Sequence, residues 1–422
     1  MSKIVVIGGG ASGMCAALAA RESGAEVILF EHNDRLGKKL NATGNGKCNL
    51  GNEILQEGCY RGGDMAFVDS VFDKCSPADT REWLSEHGLM IKNKRGYFYP
   101  HSEQAASVVS FFASKLLDSG VGIHCSSEVL KVKKEKKGFS VQYKDLVKDS
   151  MENMSCDRVI LASGGMAGQN LGAGPFGYET AKSFGHIITP LFPALVQLVA
   201  KDKNLKTLSG VRTEAGVHLI TQLDGREQYY SESGEILFTD YGISGIAVMQ
   251  LSRFAGDVLR QKGTTKLSLD FMVDYSFPEL QDYLLRRKVS CGLLSVEDCL
   301  CGMLPKKLMY VILLRTGIAP DSRYCDLGKD TLVRICRGIK EFSLPIMQTK
   351  DFSMAQVTAG GVALSGINPK TMESKLQKGL YLTGELLDVD GTCGGYNLQF
   401  AFATGILAGL AASKRRERSS DD

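Results

Sequence analysis

Ile4-Val5-Val6-Ile7-Gly8-Gly9-Gly10-Ala11-Ser12-Gly13-Met14, with the Ala-rich run to Ser23-Gly24 and then Glu26-Val27-Ile28-Leu29-Phe30-Glu31, decides the fold. Four apolar residues ending at glycines read as a buried parallel strand. Ala11–Ser23 reads as a helix closed by Gly24. Glu26–Phe30 is the second strand, with Glu31 at its carboxyl end. Gly8–Gly13 fits G-x-G-x-x-G in the context that gives this pattern meaning, after a strand and into a helix. Gly8 permits the tight turn, Gly10 lets backbone approach a pyrophosphate, and Gly13 lets helix and strand pack closely. The helix start, Ala11 and Ser12 included, offers unpaired N–H groups to phosphates. Glu31 is spaced to accept ribose hydroxyls. A glycine turn in an unrelated α/β protein is the bland alternative, and the strand, helix and acid together favour dinucleotide binding.

Outward from this unit, residues 35–51 (RLGKKLNATGNGKCNLG) form a Gly/Asn/Lys-rich loop. Lys38, Lys39 and Lys47 flank Thr43-Gly44-Asn45-Gly46, a setting suited to phosphate or flavin O2/N3 contacts, against the reading of a solvated basic loop. Cys48 is a redox thiol or, without a partner cysteine, a packed residue. Helical patterns occupy Met65–Cys75, Pro77–His87 and Glu103–Ser119. Residues 128–145 read as a hairpin turning at Gly138, with lysines 131, 133, 134, 136 and 137 as its solvated face. Cys156–Ala162 returns as a strand ending at Ser163-Gly164-Gly165.

From about residue 190, alternating segments such as VQLVA, VHLIT and EILFT imply a β-rich insert. Residues 277–345 then read as helices. After Met347 the glycine-rich character returns, the strand GLYLT ends at Thr383-Gly384-Glu385 with Asp388 nearby, and a long helix starts near Gly395. The expected fold class is α/β: a Rossmann-type domain (1–190 and 347–422) split by a β-rich insert (191–275) and a helical insert (276–346). The charged end, 414–422, is expected to fray.

FAD is favoured over NAD by the later strand ends. Ala162-Ser163-Gly164-Gly165 resembles the A-T-G turn that meets the cofactor in many two-dinucleotide-fold flavoproteins, and Gly384-Glu385 matches their Gly-acid pair at the ribityl and pyrophosphate. Each alone is a small-residue turn at a strand end. Gly394-Gly395-Tyr396-Asn397-Leu398 opens the last helix, whose amides would face negative charge on a reduced flavin; ordinary helix entry after a glycine turn is the plain alternative. A second G-x-G-x-x-G, Gly172–Gly177, contains Pro175 and follows no strand directly, so it reads as a flexible loop, not an NAD site.

Composition narrows the classes. The 422 residues are 44% hydrophobic and carry a net charge of +3, which excludes a disordered chain and demands neither nucleic acid nor an anionic membrane as partner. Twelve cysteines without C-x-x-C spacing read as reduced thiols in a cytoplasmic protein, with neither a disulfide framework nor structural zinc. Six scattered histidines lack metal spacing, so no metal is expected. No run of about 18 apolar residues suggests a spanning helix. The sequence leaves the oligomeric state open.

The ordered motifs IGGGASGM (7–14), LGKKLNATGNGKCNL (36–50), FTDYGISG (238–245), VTAGGV (357–362), NPKTMESK (368–375), GLYLTGELLDVDG (379–391) and CGGYNLQFAFATG (393–405) resemble the bacterial BaiN/RdsA-like flavoproteins, also called aminoacetone-oxidase-like FAD enzymes. The resemblance spans nearly the whole chain and implies a Rossmann-type, two-dinucleotide-fold FAD domain split by a β-barrel-like insert and a small helical insert. It implies FAD contacts at Gly8, Gly10, Ser12, Gly13, Glu31, Lys39, Thr43, Gly46, Asn49, Val129, Ala162, Gly165, Gly384, Glu385, Gly395 and Asn397. The chain departs from the family at Ala167–Gly177 and at Ile246, where many members carry Pro; both bear on the substrate, not on FAD.

The resulting expectation is an FAD-dependent oxidoreductase of a small molecule. NADH or NADPH would donate hydride for reduction of an activated C=C bond, such as that of a keto-steroid or keto-bile acid. Tyr241 and His101 are candidate proton donors, although each also reads as an ordinary packed or turn residue. The alternatives are a flavin oxidase of a small amine that gives hydrogen peroxide, and a non-catalytic redox-switch flavoprotein that binds RNA or a protein.

Overall fold

A computed structural model describes residues 1–291 and 293–414. The frayed end expected at 414–422 falls, apart from Lys414, outside the described residues. The chain divides into two compact units, residues 1–192 with 357 onward, and residues 193–356.

The first unit is built on a five-stranded parallel sheet. Its order is Leu380–Leu382, Arg158–Leu161, β1 (Lys3–Ile7), β2 (Glu26–Phe30) and Gly122–His124. β1 and Arg158–Leu161 are central and almost wholly buried, which is why they read as continuous apolar runs and do not alternate. Between β1 and β2 runs α1 (Ala11–Glu22), with every residue from Ser12 to Ala20 buried. The final helix, Tyr396–Ser413, is buried along most of its length and packs beside α1.

Glycines set that helix pair. A Cβ on Gly405 would stand 2.3 Å from Ser12 O, and one on Gly409 would stand 2.4 Å from Ala16 O. Both numbers rise together along the two helices, so they run parallel. Nine residues of the final helix precede Gly405 and one residue of α1 precedes Ser12. At ~1.5 Å rise per residue, the final helix begins about 12 Å beyond the start of α1.

Local departures from the sequence reading have physical causes. The expected hairpin at 128–145 is a three-stranded sheet, because Ser150–Cys156 pairs along Phe139–Asp145. The loop 35–51 contains a short helix, Lys38–Asn41, and then left-handed residues at Gly44, Asn45, Gly46 and Cys48. The motif Gly172–Gly177 is not a free loop throughout: helix Phe176–Ser183 begins inside it, capped by Pro175.

The second unit holds a closed antiparallel barrel. Around it run Leu198–Ala200, Gly242–Ser244, Arg226–Phe238, Arg212–Leu223, Thr264–Asp270 and Phe342–Thr349, the last pairing back to the first. The reading of 276–346 as purely helical ends inside the sixth strand. Pro345, which lacks a ladder donor, hid that strand. The β-rich reading of 191–275 also missed helix Ile246–Arg260, whose buried face includes Ala247, Val248, Leu251, Ser252 and Ala255. Cys291 and Cys299, with Cα atoms 5.9 Å apart, pair as one disulfide. This departs from the reading of all twelve cysteines as reduced: the pair closes two helical segments eight residues apart, a spacing outside the short motifs sought. The other described cysteines stand outside any disulfide.

Candidate cofactor site

The site is assembled in the first unit, where the sheet's strand ends meet two helix starts. Gly8 has φ +109° and donates to Phe30 O at 2.8 Å. A side chain there would strike Ala162 O at 2.4 Å, and one on Gly13 would strike Gly8 O at 1.9 Å. Gly10 differs: a Cβ would meet nothing within 4 Å. Gly8 and Gly13 are therefore explained by the protein's own packing, and Gly10 is not. The space in front of Gly10 lies at the N-terminus of α1, where unpaired amides collect.

Glu31 accepts from Gly9 N at 2.7 Å through one oxygen, and from Asn33 N and Nδ2 at 2.8 and 2.7 Å through the other. It thus holds the glycine turn while keeping one lone-pair site, on Oε2, for a ribose hydroxyl. Asn33 Nδ2 also donates to Leu171 O at 3.1 Å, so the loop before Pro175 lies beside Glu31. Val129 is buried in strand Ser127–Lys134, whose Ser127 N donates to Glu31 O at 2.9 Å.

Further along, four chain segments converge on one carboxylate. Lys39 Nζ lies 2.5 Å from Glu385 Oε2. Glu385 Oε1 receives Thr358 N and Thr358 Oγ1, each at 3.0 Å. Thr358 Oγ1 accepts from Met166 N and Ala167 N at 2.8 and 3.0 Å. Gly165 is confined between Thr358 and Glu385, whereas Gly164, at φ +73°, faces open space. The Ser163 hydroxyl is buried without a partner. Gly384, at φ +65°, sits over Ser12, and Asp388 is anchored by its backbone to Gly63 and Val362.

At the start of the final helix, Asn397 closes a pair of 2.8 Å bonds with Gly391 N and O. This side chain holds a turn, and its own amide, with that of Leu398, is what the helix start presents. Gly395, at φ +93°, leaves room for Asn49, whose Oδ1 would stand 2.5 Å from an added Cβ. Asn49 Oδ1 is buried and unpartnered. Tyr396 OH donates to Ile54 O at 2.9 Å. Tyr60 OH donates to Tyr396 O at 3.0 Å. Burial pushes both phenols above their usual pKa.

The remaining expected residues divide. In the loop, Thr43 Oγ1 donates to Leu40 O at 2.7 Å, and Gly44 and Gly46 supply left-handed backbone. Lys38 pairs with Asp34 at 2.9 Å and Lys47 with Glu103 at 3.5 Å. The Cys48 side chain is fully buried, and burial lifts its pKa to about 12. It is therefore a packed neutral thiol, not a redox group, and only its backbone could face a ligand. His101 lies on an exposed turn after Tyr97–Pro100, its amide donating to Met90 O. Tyr241 belongs to the barrel unit, with Lys350 Nζ 3.8 Å from its ring centroid. Thr358 was missed by the sequence reading; the signal was its place in VTAGGV, two residues before a glycine pair.

Two parallel helix starts, an open glycine cradle, and two buried polar atoms without partners fit a long molecule with a pyrophosphate along its length and a hydrogen-bonding ring at one end. FAD has this form, and the Rossmann-type sheet with its barrel unit is the fold of FAD-dependent oxidoreductases. The family described as HI0933-like protein Rossmann domain matches residues 2–411, and the chain belongs to it. A 3-dehydro-bile acid delta(4,6)-reductase of Clostridium scindens is 40% identical over 98% of this chain and 100% of its own. A ribosomal RNA dihydrouridine synthase of Haemophilus influenzae is 29% identical over 98% and 99%. Among solved structures, the 3-ketosteroid delta1-dehydrogenase of Sterolibacterium denitrificans shares the fold at TM-score 0.51 and 11% identity, covering 98% of this chain and all of that one. The chain is an FAD-dependent oxidoreductase. Among the described residues, no helix is long and apolar enough to cross a membrane.

Proposed function

We propose that this enzyme reduces the C=C bond of a small conjugated enone, of the keto-steroid or keto-bile-acid kind, with NADH or NADPH as hydride donor. The observation that carries the reading is the full-length, 40% identity to a bile acid reductase. The more distant relative supports the same reaction class. Dihydrouridine differs from uridine by saturation of a ring C=C conjugated to a carbonyl, so both named activities add a hydride and a proton across a C=C conjugated with a carbonyl.

Bound FAD supplies the hydride carrier for such a reaction. The chain's own part is to hold and polarise. Amides at the start of α1, with the Gly10 cradle, would hold the pyrophosphate. Glu31 would accept an adenosine ribose hydroxyl, and Glu385 a ribityl hydroxyl. Asn49 Oδ1 would accept from an N–H donor of the ring. The amides opening the final helix would stabilise negative charge there. Lys39, neutralised by Glu385, adds little net charge to a phosphate. Tyr241 and His101 are the candidate proton donors for the α-carbon. Reduction of a uracil ring in RNA is the second reading, favoured by the 29% relative.

Anaerobic mixing of the yellow protein with NADH, then NADPH, tests the donor. Bleaching of the visible flavin band, reversed by a 3-keto-4-ene steroid and not by a uridine-containing RNA, is the expected result. Bleaching reversed only by the RNA would select the second reading. No bleaching by either nucleotide, with peroxide formed from a small amine, would replace both by an oxidase.

A further inference from the structure

The hydroxyl of Thr358 has one proton and two lone pairs. Met166 N and Ala167 N, at 2.8 and 3.0 Å, occupy the lone pairs. The proton then turns to the carboxylate oxygen Glu385 Oε1 at 3.0 Å, a stronger acceptor than the Tyr178 phenol that also lies beside the hydroxyl. The Thr358 amide donates to the same oxygen at 3.0 Å. Glu385 is thereby held through one oxygen by two donors from a single residue, while its other oxygen meets Lys39. Thr358 is 1% exposed, so water does not replace any of these bonds.

We propose that Thr358 is a positioning residue of the cofactor site: it fixes the Glu385 carboxylate, and through it the Lys39 ammonium, against the turn Gly165–Ala167 before FAD arrives. The proposal rests on the FAD assignment and is independent of the substrate. A threonine serving only to fill space would need its methyl and not its hydroxyl. Valine keeps the shape and loses all three hydroxyl bonds, and serine keeps the hydroxyl and loses the methyl.

The holoprotein carries the test. FAD released on dilution, read as recovered free-flavin fluorescence, gives Kd for wild type, Thr358→Val, Thr358→Ser, Glu385→Gln and the Val/Gln double variant. Thr358→Val should raise Kd by about tenfold, as for a lost hydrogen bond to a charged group, and Thr358→Ser should stay within about threefold of wild type. In the Glu385→Gln background the same valine should cost less than about twofold, because neighbours acting through one contact are not additive. Wild-type Kd for valine, equal losses for valine and serine, or an undiminished valine effect without Glu385 would each overturn the proposal. Should Thr358→Val fail to give soluble protein, Thr358→Ala against Thr358→Ser makes the same comparison.

Discussion

Gly10→Val separates the cofactor's demands from the fold's. Gly10 has φ −83°, which any L residue adopts, and an added Cβ meets no protein atom within 4 Å. The FAD-free variant should therefore unfold at the wild-type temperature. Wild type gains ~2.7 kcal/mol when FAD is at about 100 times its Kd. For a unit of this size each kcal/mol is worth roughly 2–4 °C, so wild type should rise by about 5–10 °C on adding FAD and the variant should not rise. Gly13→Ala is the counterpart. Its Cβ would stand 1.9 Å from Gly8 O, a backbone atom that cannot step aside. It should lower the melting temperature with or without FAD, at a cost of ~3 kcal/mol or more. Thermal melts of both variants, each with and without FAD, complete the comparison. A Gly10→Val protein that purifies yellow and gains the wild-type increment would refute the placement of the pyrophosphate at α1.

Three further outcomes follow from particular groups. Asn49→Leu removes a buried oxygen without a partner; the FAD-free protein should be no less stable, and FAD affinity, read by fluorescence quenching, should fall by ~1–3 kcal/mol. Glu31→Ala should weaken FAD by a similar ~1–3 kcal/mol, and loss of its Gly9 and Asn33 bonds should speed amide exchange at those two positions. Cys48 keeps its proton to about 12 when folded, against a usual thiol value of 9.0. A raised folded pKa gives stability that is complete below the unfolded value and lost as pH rises through that window. Cys48→Ala should reduce the alkaline loss of stability by one linked proton, measured by urea titration across the window, and an unchanged slope would count against a neutral buried thiol.

The local elements of the site were legible in the sequence because each is a short pattern with its own steric reason. Gly8 and Gly13 are required by contacts inside one βαβ unit, and Gly384-Glu385 closes a strand whose apolar run is plain. Thr358 was not legible, because its role exists only where residues 39, 166, 358 and 385 meet. Nor were the bonds that occupy Asn397 and Lys39, which the sequence offered as cofactor contacts and the fold ties to Gly391 and Glu385. The barrel was legible as alternation, but not its closure, since the strand that closes it comes after four helices and contains Pro345. Helix Ile246–Arg260 did carry a helical spacing of apolar residues; strand-like neighbours on both sides masked it.

The seam between α1 and the final helix also has a consequence in time. The ribosome delivers α1 well before its partner helix. At ~5–20 residues per second, the stretch from 193 to 413 occupies about 10–45 s. Throughout that interval the small-residue face of α1 waits uncovered, and the amides of Asn397 and Leu398 do not yet exist. Cofactor loading therefore waits until the start of the final helix has been made. A nascent chain stalled before residue 396 should accumulate as a chaperone client and not as a yellow protein.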